Sequence, residues 1–215
     1  NKRAETFEWF KKWDEVQSGN FNDLNVKWFE GGQLNITINA LDRHAKSTPD
    51  KHAIIWEPND PKEEEVYFTY SELLSKVNQF ANVLKDKGVK RGDRVCFYMS
   101  MVPELLIGVL ATARIGAIHS VVFGGFSAKA LAGRINDCDC KIVITNDEAY
   151  RGGKTIPLKN ITDEALLECP GVDTVLCLER TKGNVSMKDG RDFWLGELIA
   201  NASSCLLYTS PSPRD

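Results

Sequence analysis

The chain has 215 residues, 42% hydrophobic and 27% charged, so it can build a core and its composition excludes an intrinsically disordered protein. The net charge of −3 provides no basic footprint, so neither nucleic acid nor a membrane is an expected partner. The first residues include no apolar stretch typical of a secretory signal, and we expect a cytoplasmic protein.

Residues 1–38 are rich in aromatic side chains set among polar residues. Seven of them fall in the first 29 positions: Phe7, Trp9, Phe10, Trp13, Phe21, Trp28 and Phe29. One short helix is predicted, from about Ala4 to Trp13. Because so few regular elements cannot close a core alone, we expect an extension that drapes over a larger body and inserts its aromatic rings into grooves.

From residue 38 onward, predicted helices alternate with predicted strands. The strands are "HAIIWEP", "VYFTY", "RVCFYM", "IHSVVF", "KIVITN" and "DTVLCLE", and the helices lie near residues 38–46, after Thr69, at "ELLIGVLATARI", at "AKALAGRI", near residues 162–167 and at "DFWLGELIANA". Thr69 and Glu72 have the spacing of a capping box, and Gly88 is placed to end that helix. The alternation predicts an α/β fold with a mostly parallel sheet flanked by helices.

The longest apolar tract, Leu105–Val122, could be interpreted as a membrane span. It contains Arg114 and His119, and Gly116 divides a helix-like half from a strand-like half. A buried helix followed by a buried strand is therefore the better interpretation. On this interpretation His119 is a core residue rather than a ligand.

The sequence shows no constellation typical of catalysis or metal binding. Its cysteines lack a CxxC pair, and we expect ordinary reduced thiols at Cys96, Cys138, Cys140, Cys169, Cys177 and Cys205. The "DCDC" stretch has no histidine or second cysteine pair beside it. Asp147 and Glu148 follow a predicted strand, where carboxylates commonly cap a loop.

Two glycine pairs are candidates for ligand contact. Gly124–Gly125 lies between a predicted strand and a helix with Ser127 as N-cap, but it lacks the lysine of a phosphate loop and the spacing of a dinucleotide fingerprint. It is either a tight turn or a ligand contact. In "YRGGK", Arg151 and Lys154 flank two glycines of a predicted loop, which is either a cationic hook for phosphate or a solvated loop.

Long blocks of the sequence resemble acetyl-coenzyme A synthetases, the AMP-forming acetate–CoA ligases of the adenylate-forming enzyme superfamily. They include "WFEGGQLNITINALDRHAKSTPDKHAIIWE", "TYSELLSKVNQFANVLKDKGVKRGDRV", "MVPELLIGVLATARIGAIHSVVFGGFSAKALAGRINDCDCKIVIT" and "DEAYRGGKTIPLK". The resemblance reaches about Ser203. It implies an N-terminal extension over residues 1–38 and a truncated AMP-binding domain over residues 39–204, the first part of that superfamily's large domain.

The resemblance also implies a two-step reaction on acetate, Mg-ATP and CoA. Acetate attacks the α-phosphate to give acetyl-adenylate and pyrophosphate, and the CoA thiol then displaces AMP. It places CoA contacts on Phe123, Gly124, Gly125, Arg151, Gly152, Gly153 and Lys154. Lys154 stands where an arginine is frequent, so it keeps the charge but loses the bidentate fork. No catalytic or metal-ligating residue is implied within this sequence.

The last residues depart from the family pattern. The family continues into a phosphate loop, YTSGSTGKPKG, whereas residues 208–215 read "YTSPSPRD", with prolines where glycines must bend. We expect the genuine sequence to end near Ser203 or Ser204, residues 205–215 to be a foreign or misread tail, and the ATP loop to be absent.

The expected molecule is thus a ligase fragment that is inactive alone. The alternatives are a propionate- or acetoacetate-CoA ligase relative, because the acyl pocket lies beyond the end, and a non-catalytic α/β module that binds CoA or a partner. The sequence leaves the oligomeric state open.

Overall fold

The structure is a computed structural model that describes residues 2–60 and 62–205, so the expected tail lies outside the described residues except for Cys205. The strands are β1 (Glu15–Asn20), β2 (Asn25–Glu30), β3 (His52–Trp56), β4 (Val66–Thr69), β5 (Arg94–Met99), β6 (Ile118–Phe123), β7 (Ile142–Asn146), β8 (Ala149–Arg151), β9 (Lys154–Ile156), β10 (Thr174–Leu178) and β11 (Asp192–Trp194). The helices are α1 (Arg43–Ser47), α2 (Tyr70–Asp86), α3 (Pro103–Arg114), α4 (Ala128–Asp137), α5 (Leu158–Leu166) and α6 (Leu195–Asn201), with a 3-10 turn at Ala4–Thr6 and a π-helical turn at Ile38–Asp42 that runs into α1.

The centre of the fold is a five-stranded sheet in the order β11-β10-β7-β5-β6, and every neighbouring pair in it is parallel. The predicted α/β fold with a mostly parallel sheet is confirmed. Counted from β5, the order is 2-1-3-4-5, in which the chain reverses direction across the sheet between β5 and β7. Ligands of such sheets bind outside the carboxyl ends of the strands, at this reversal.

Side chains of β5 alternate between two hydrophobic clusters, as the two-residue period of a strand requires. Val95, Phe97 and Met99 pack with α2, α3 and α6 on one face of the sheet. Cys96 and Tyr98 pack with α4 and α5 on the other face. Burial on both faces explains why the central strands are continuously apolar in sequence.

Helix α2 begins with the predicted capping box. The hydroxyl of Thr69 accepts a hydrogen bond from the Glu72 N–H, and the Glu72 carboxylate accepts one from the Thr69 N–H in return. Gly88 follows the helix with a left-handed φ of +84°, the conformation for which glycine is favoured. The capping box and this end of the helix are confirmed.

The N-terminal segment differs from its prediction. The predicted helix from Ala4 to Trp13 is wrong, because the backbones of Phe10 and Lys11 pair with Gln33 and hold this stretch extended. The strands β1 and β2 form an antiparallel hairpin that the sequence did not reveal. Its polar residues lack a clean two-residue period of apolar side chains, so the strand signal was weak.

The aromatic rings of this segment pack mainly on one another. Trp9, Trp13 and Phe29 form a cluster with ring centroids 5.0–5.6 Å apart. Phe21 and Trp28 are exposed at the hairpin. Within the described residues none of these five rings is shown in a groove of the α/β body, and their insertion into a larger body stays a prediction.

A buried ion pair explains the charge inside the apolar tract. Arg114, at the end of α3, is 5% exposed and donates two hydrogen bonds of 2.6 and 2.8 Å to the Asp42 carboxylate. The Asn35 amide donates to the carbonyls of Ala113 and Arg114. These contacts dock the chain around residues 35–42 onto the carboxyl end of α3.

Three further predictions need correction. His119 is exposed rather than a core residue. It lies on β6, which is an edge strand of the sheet and in which only Val122 is buried. Helix α5 begins at Leu158, four residues before the predicted start. Residues 192–194 form β11 rather than helix, because they pair in parallel with Val175–Cys177.

A buried lysine joins α5 to β11, a contact that no sequence pattern predicts. The Lys159 ammonium contacts the carboxylates of Asp163 at 2.7 Å and Asp192 at 2.8 Å, and the side chains of Lys159 and Asp192 are fully buried. Arg191 bonds both carboxylates. The four charges balance within the fold, which makes their burial tolerable.

Candidate functional site

A cavity of about 360 Å³ opens at the carboxyl ends of the central strands. It lies beside the reversal of chain direction between β5 and β7, the position at which such sheets bind ligands. Its walls come from the ends of β3, β5 and β6, from the β8–β9 segment and from the loop after β10. The lining residues are Trp56, Glu57, Asn59, Met99, Ser100, Met101, Val102, Phe123, Gly124, Ala149, Tyr150, Arg151, Ile156 and Arg180.

The two glycine-containing segments singled out in the sequence meet at this cavity. The Arg151 guanidinium lies 5.0 Å from the centroid of the Phe123 ring, in cation–π contact. A Cβ on Gly125 would overlap Arg151 Nη1 and lie 2.6 Å from Phe123 Cε1. The absence of a side chain at Gly125 therefore makes room for the arginine on the ring.

The Gly124–Gly125 pair forms a tight turn, and one of its two glycines also lines the cavity. The Phe126 N–H donates to the Phe123 carbonyl at 3.0 Å, which closes a four-residue turn around the pair. Ser127 caps α4, as predicted, by accepting from the Ala130 N–H. Gly124 itself lines the cavity. The two interpretations left open by the residues are thus compatible.

The "YRGGK" segment is a hairpin, and its prediction as a loop is wrong. Gly152 and Gly153 form a two-residue turn with φ values of +53° and +74°, the left-handed conformation that such hairpin turns demand. Arg151 and Lys154 stand opposite each other in the antiparallel register, so their side chains share one face of the hairpin.

The structure separates the predicted site residues into two groups. Phe123, Gly124 and Arg151 line the cavity, with Gly125 directly beneath the arginine. The remaining three predicted residues, Gly152, Gly153 and Lys154, form the exposed tip of the hairpin and do not line the cavity.

Sequence reasoning missed a second arginine in the cavity wall. The Arg180 guanidinium lies 5.5 Å from the Trp56 ring and 5.3 Å from the Tyr150 ring. It also donates hydrogen bonds of 2.7 and 2.6 Å to the two carboxylate oxygens of Glu63. These hydrogen bonds lower the pKa of Glu63, which keeps that carboxylate charged. No sequence spacing could connect two residues 117 positions apart.

The prediction that the acidic pair caps a loop is confirmed for Asp147. This buried carboxylate accepts hydrogen bonds from the backbone N–H groups of Glu148, Arg180, Thr181 and Gly183 at 2.7–3.1 Å. It therefore fixes the loop that carries Arg180 to the end of β7.

A second cavity, of about 340 Å³, opens at the opposite end of the sheet. Its ionisable residues are of mixed sign: Lys87, Lys90, Asp93, Arg94, Asp139, Lys141 and Asp173. Arg94 is already paired with Asp139 at 3.0 Å. The mixture gives this cavity no strong preference for an anion or a cation.

The thiols do not form a reactive centre. All six cysteines are free, and burial raises the pKa of Cys140 and Cys177 to about 12.

Across residues 2–60 and 62–205, no group of histidine, cysteine and acidic side chains could hold a metal ion. Within the same ranges, no helix combines the length and apolar character needed to cross a bilayer.

The sequence was compared with family models and with known proteins, and it matches one family over most of its length. Residues 41–212 match the family model of AMP-binding enzymes, and residues 1–40 match that of the acetyl-coenzyme A synthetase N-terminus. Acetyl-coenzyme A synthetase of Alkalilimnicola ehrlichii is 48% identical over 203 residues, which are 94% of this chain and 31% of the relative. Acetyl-coenzyme A synthetase 2 of Pseudomonas aeruginosa is 49% identical over 92% of this chain and 30% of its own length.

A solved structure supports the same relationship. Acetoacetyl-CoA synthetase from Streptomyces lividans superimposes with a TM-score of 0.82 at 25% identity, covering 94% of this chain and 30% of that one. The chain thus spans about a third of the length of the relatives it matches. It belongs to the AMP-binding enzyme family, and its sequence is similar to the first third of acetyl-coenzyme A synthetases.

Proposed function

We propose that this chain supplies the CoA-nucleotide wall of an AMP-forming acetate–CoA ligase. The whole protein would convert acetate, ATP with Mg²⁺, and CoA into acetyl-CoA, AMP and pyrophosphate. The relatives named acetyl-coenzyme A synthetase support this reaction at 48–49% identity. A cytoplasmic location accords with substrates of that kind.

The observation that carries the proposal is the state of Arg151. It lines the cavity, its guanidinium is held over Phe123, and it has no carboxylate partner among the described residues. Its N–H groups can therefore donate to a phosphate, in the fork geometry that suits phosphate oxygens. Arg180, in the same wall, already donates to Glu63.

The remaining proposed contacts complete a surface for a nucleotide. Gly124 presents backbone without a side chain in the cavity wall, which lets a planar base approach closely, and Gly125 leaves the room in which Arg151 lies on the Phe123 ring. Lys154 adds a mobile point charge opposite Arg151 on the hairpin. The proposed CoA contacts are Phe123, Gly124, Gly125, Arg151, Gly152, Gly153 and Lys154.

The proposed reaction has two separable halves. An acetate oxygen attacks the α-phosphorus of ATP, and pyrophosphate leaves with the electrons of the broken bond. The CoA thiolate then attacks the acyl carbon, and AMP leaves while the thiol proton passes to solvent. The proposed contacts concern only CoA, so they act in the second half.

Acetate is favoured over acetoacetate as the acid. Identity reaches 48–49% with proteins named for acetate and 25% with the one named for acetoacetate. Comparing thioester formation from acetate, propionate and acetoacetate in the full-length enzyme would decide between them. A purely CoA-binding module would bind CoA yet form no adenylate with any of these acids.

The test of the CoA assignment is Arg151→Ala in the full-length enzyme that carries these residues. Loss of charge-assisted hydrogen bonds should raise KM for CoA by about tenfold or more. The rate of acetate-dependent ATP–pyrophosphate exchange should stay unchanged, because CoA takes no part in it.

Arg134→Ala is the matched control, since it removes a guanidinium stacked 4.9 Å from the Phe126 ring but outside the cavity. It should leave KM for CoA as it was. An Arg151→Ala enzyme that loses pyrophosphate exchange as much as thioester formation would contradict the assignment.

A further inference from the structure

We propose that Arg180 is a positioning residue for the CoA site. Held by Glu63 and stacked between Trp56 and Tyr150, it fixes the β8–β9 hairpin and so sets where Arg151 meets its ligand. This inference rests on the proposed function of the site.

The hairpin needs such a support from outside. Its strands have three residues each and form a two-stranded sheet of their own, separate from the central sheet. An isolated hairpin of two strands is only marginally stable in water. Its base is secured by buried Ala149, but every residue from Tyr150 to Thr155 is exposed. The contacts of Tyr150 and Arg151 must therefore hold its outer half.

Arg180 is suited to this task because its own backbone and the Trp56 ring beside it are anchored. Its N–H donates at 2.8 Å to the buried carboxylate of Asp147. The Trp56 indole donates at 2.8 Å to the Met101 carbonyl. Glu63 holds the guanidinium through both oxygens, which fixes the plane of the fork. Tyr150 then packs against a guanidinium whose position is set from three sides.

The same contacts argue against a direct role for Arg180 in binding. Its side chain is only 20% exposed, and two of its donors are taken by a carboxylate. Arg151, one residue after Tyr150, has a stacked ring but no carboxylate. The two arginines of the cavity therefore have different roles. Arg151 is available to the ligand, and Arg180 holds the hairpin that carries Arg151.

Hydrogen exchange on this chain tests the positioning without any ligand. In Arg180→Gln, amides 150–156 should exchange faster, while those of β7 and β10 keep their protection. Arg180→Lys should behave in the same way, because lysine keeps the charge but loses the fork and the flat stacking surface. Arg94→Gln, which breaks an arginine–aspartate pair at the other end of the sheet, should leave the hairpin unchanged.

Unchanged exchange of the hairpin in either Arg180 variant would overturn the inference. The lysine variant keeps this test available if the glutamine variant does not fold, because it retains the charge beside Glu63. Faster exchange over the whole sheet in both variants would also overturn it, since Arg180 would then support general stability rather than this hairpin.

Kinetics in the full-length enzyme link the hairpin to CoA. Both Arg180 variants should raise KM for CoA by about three- to tenfold and leave ATP–pyrophosphate exchange unchanged, as expected for coupling through a neighbouring contact. If Arg151→Ala raises KM for CoA and the Arg180 variants do not, the positioning inference fails alone. If Arg151→Ala has no effect on KM for CoA, the proposed function fails. Hydrogen exchange then still decides whether Arg180 fixes the β8–β9 hairpin.

Discussion

A substitution at Gly125 should change the geometry of the proposed ligand site while leaving the stability of the fold nearly unchanged. Its φ is not in the left-handed region, so an alanine would meet no backbone strain there. The added Cβ would instead displace the tip of the Arg151 side chain and the edge of the Phe123 ring, which is itself exposed and can turn away. A flexible side chain can move away at little cost in stability, but the guanidinium would no longer lie where the ring holds it.

We therefore predict that Gly125→Ala lowers CoA affinity while leaving stability nearly unchanged. KM for CoA should rise by about tenfold, comparable to the cost of losing one charge-assisted contact, and the urea midpoint should shift little. Gly133→Ala, in α4, is the control: nothing lies within 4 Å of its added Cβ. It should stabilise by about 0.5–1 kcal/mol through helix propensity. An unchanged KM for CoA in Gly125→Ala would count against the Arg151–Phe123 arrangement.

At the scale of single elements, the Lys159 network determines how α5 and β11 respond to acid. Burial alone would raise the pKa of Asp192, but hydrogen bonds from Arg191, Lys159 and the Lys188 N–H outweigh that effect and hold its pKa below the usual 3.8. A carboxylate whose pKa is depressed in the folded state stabilises the fold above its unfolded pKa. That stabilisation is lost as the pH falls through the folded value.

Asp192→Asn should therefore cost about 3 kcal/mol of unfolding free energy at pH 7, because it leaves a buried lysine partly uncompensated. The difference from the unaltered chain should begin to shrink as the pH falls below about 4, the pKa of an unfolded aspartate, and should vanish once the pH has passed the lower folded value. Urea unfolding between pH 3 and 7 measures both effects. Asp139→Asn, whose carboxylate is 75% exposed, is the control and should change little.

The elements also show what could be predicted from sequence. Apolar runs buried on both faces, the capping box at Thr69 and the Ser127 N-cap are local signals, and each predicted its element correctly. The 192–194 strand and the β8–β9 hairpin depended on partners instead. Asp192–Trp194 is too short to show a period, and only pairing with β10 makes it a strand.

The candidate site shows the same division between local and distant signals. Phe123, Gly124 and Arg151 were identified through motif resemblance, and the structure brings them into one cavity. Arg180 and Glu63 were missed because an arginine and a glutamate in separate loops have no motif between them. Their contact exists only after Asp147 has fixed the loop after β10.

At the scale of the whole molecule, one buried ion pair reinforces the docking of the chain around residues 35–42, beside the hydrogen bonds of Asn35. The Asp42 carboxylate holds Arg114 at the end of α3 through both of its oxygens. An amide at position 42 would keep the shape but offer a single neutral acceptor to a nearly buried guanidinium.

Asp42→Asn should destabilise the chain by about 2–3 kcal/mol. It should also increase proteolysis within residues 35–47 before the rest of the chain is cut, because that segment loses its anchor first. Urea unfolding and limited trypsin digestion measure the two effects. Uniform digestion of the whole chain would show that the pair supports the core rather than the docking of this segment.

The position of β6 has a consequence for how the chain behaves in solution. Among the described residues it is the outermost strand of the central sheet, with unpaired backbone groups and exposed Ile118, Val121 and Phe123. Such an edge is a template for pairing with another copy. Phe123 belongs both to this edge and to the proposed CoA wall, so a second copy and the nucleotide would compete for the same ring. We therefore expect CoA to reduce self-association of the isolated chain, because it would cover one end of the unpaired edge strand β6.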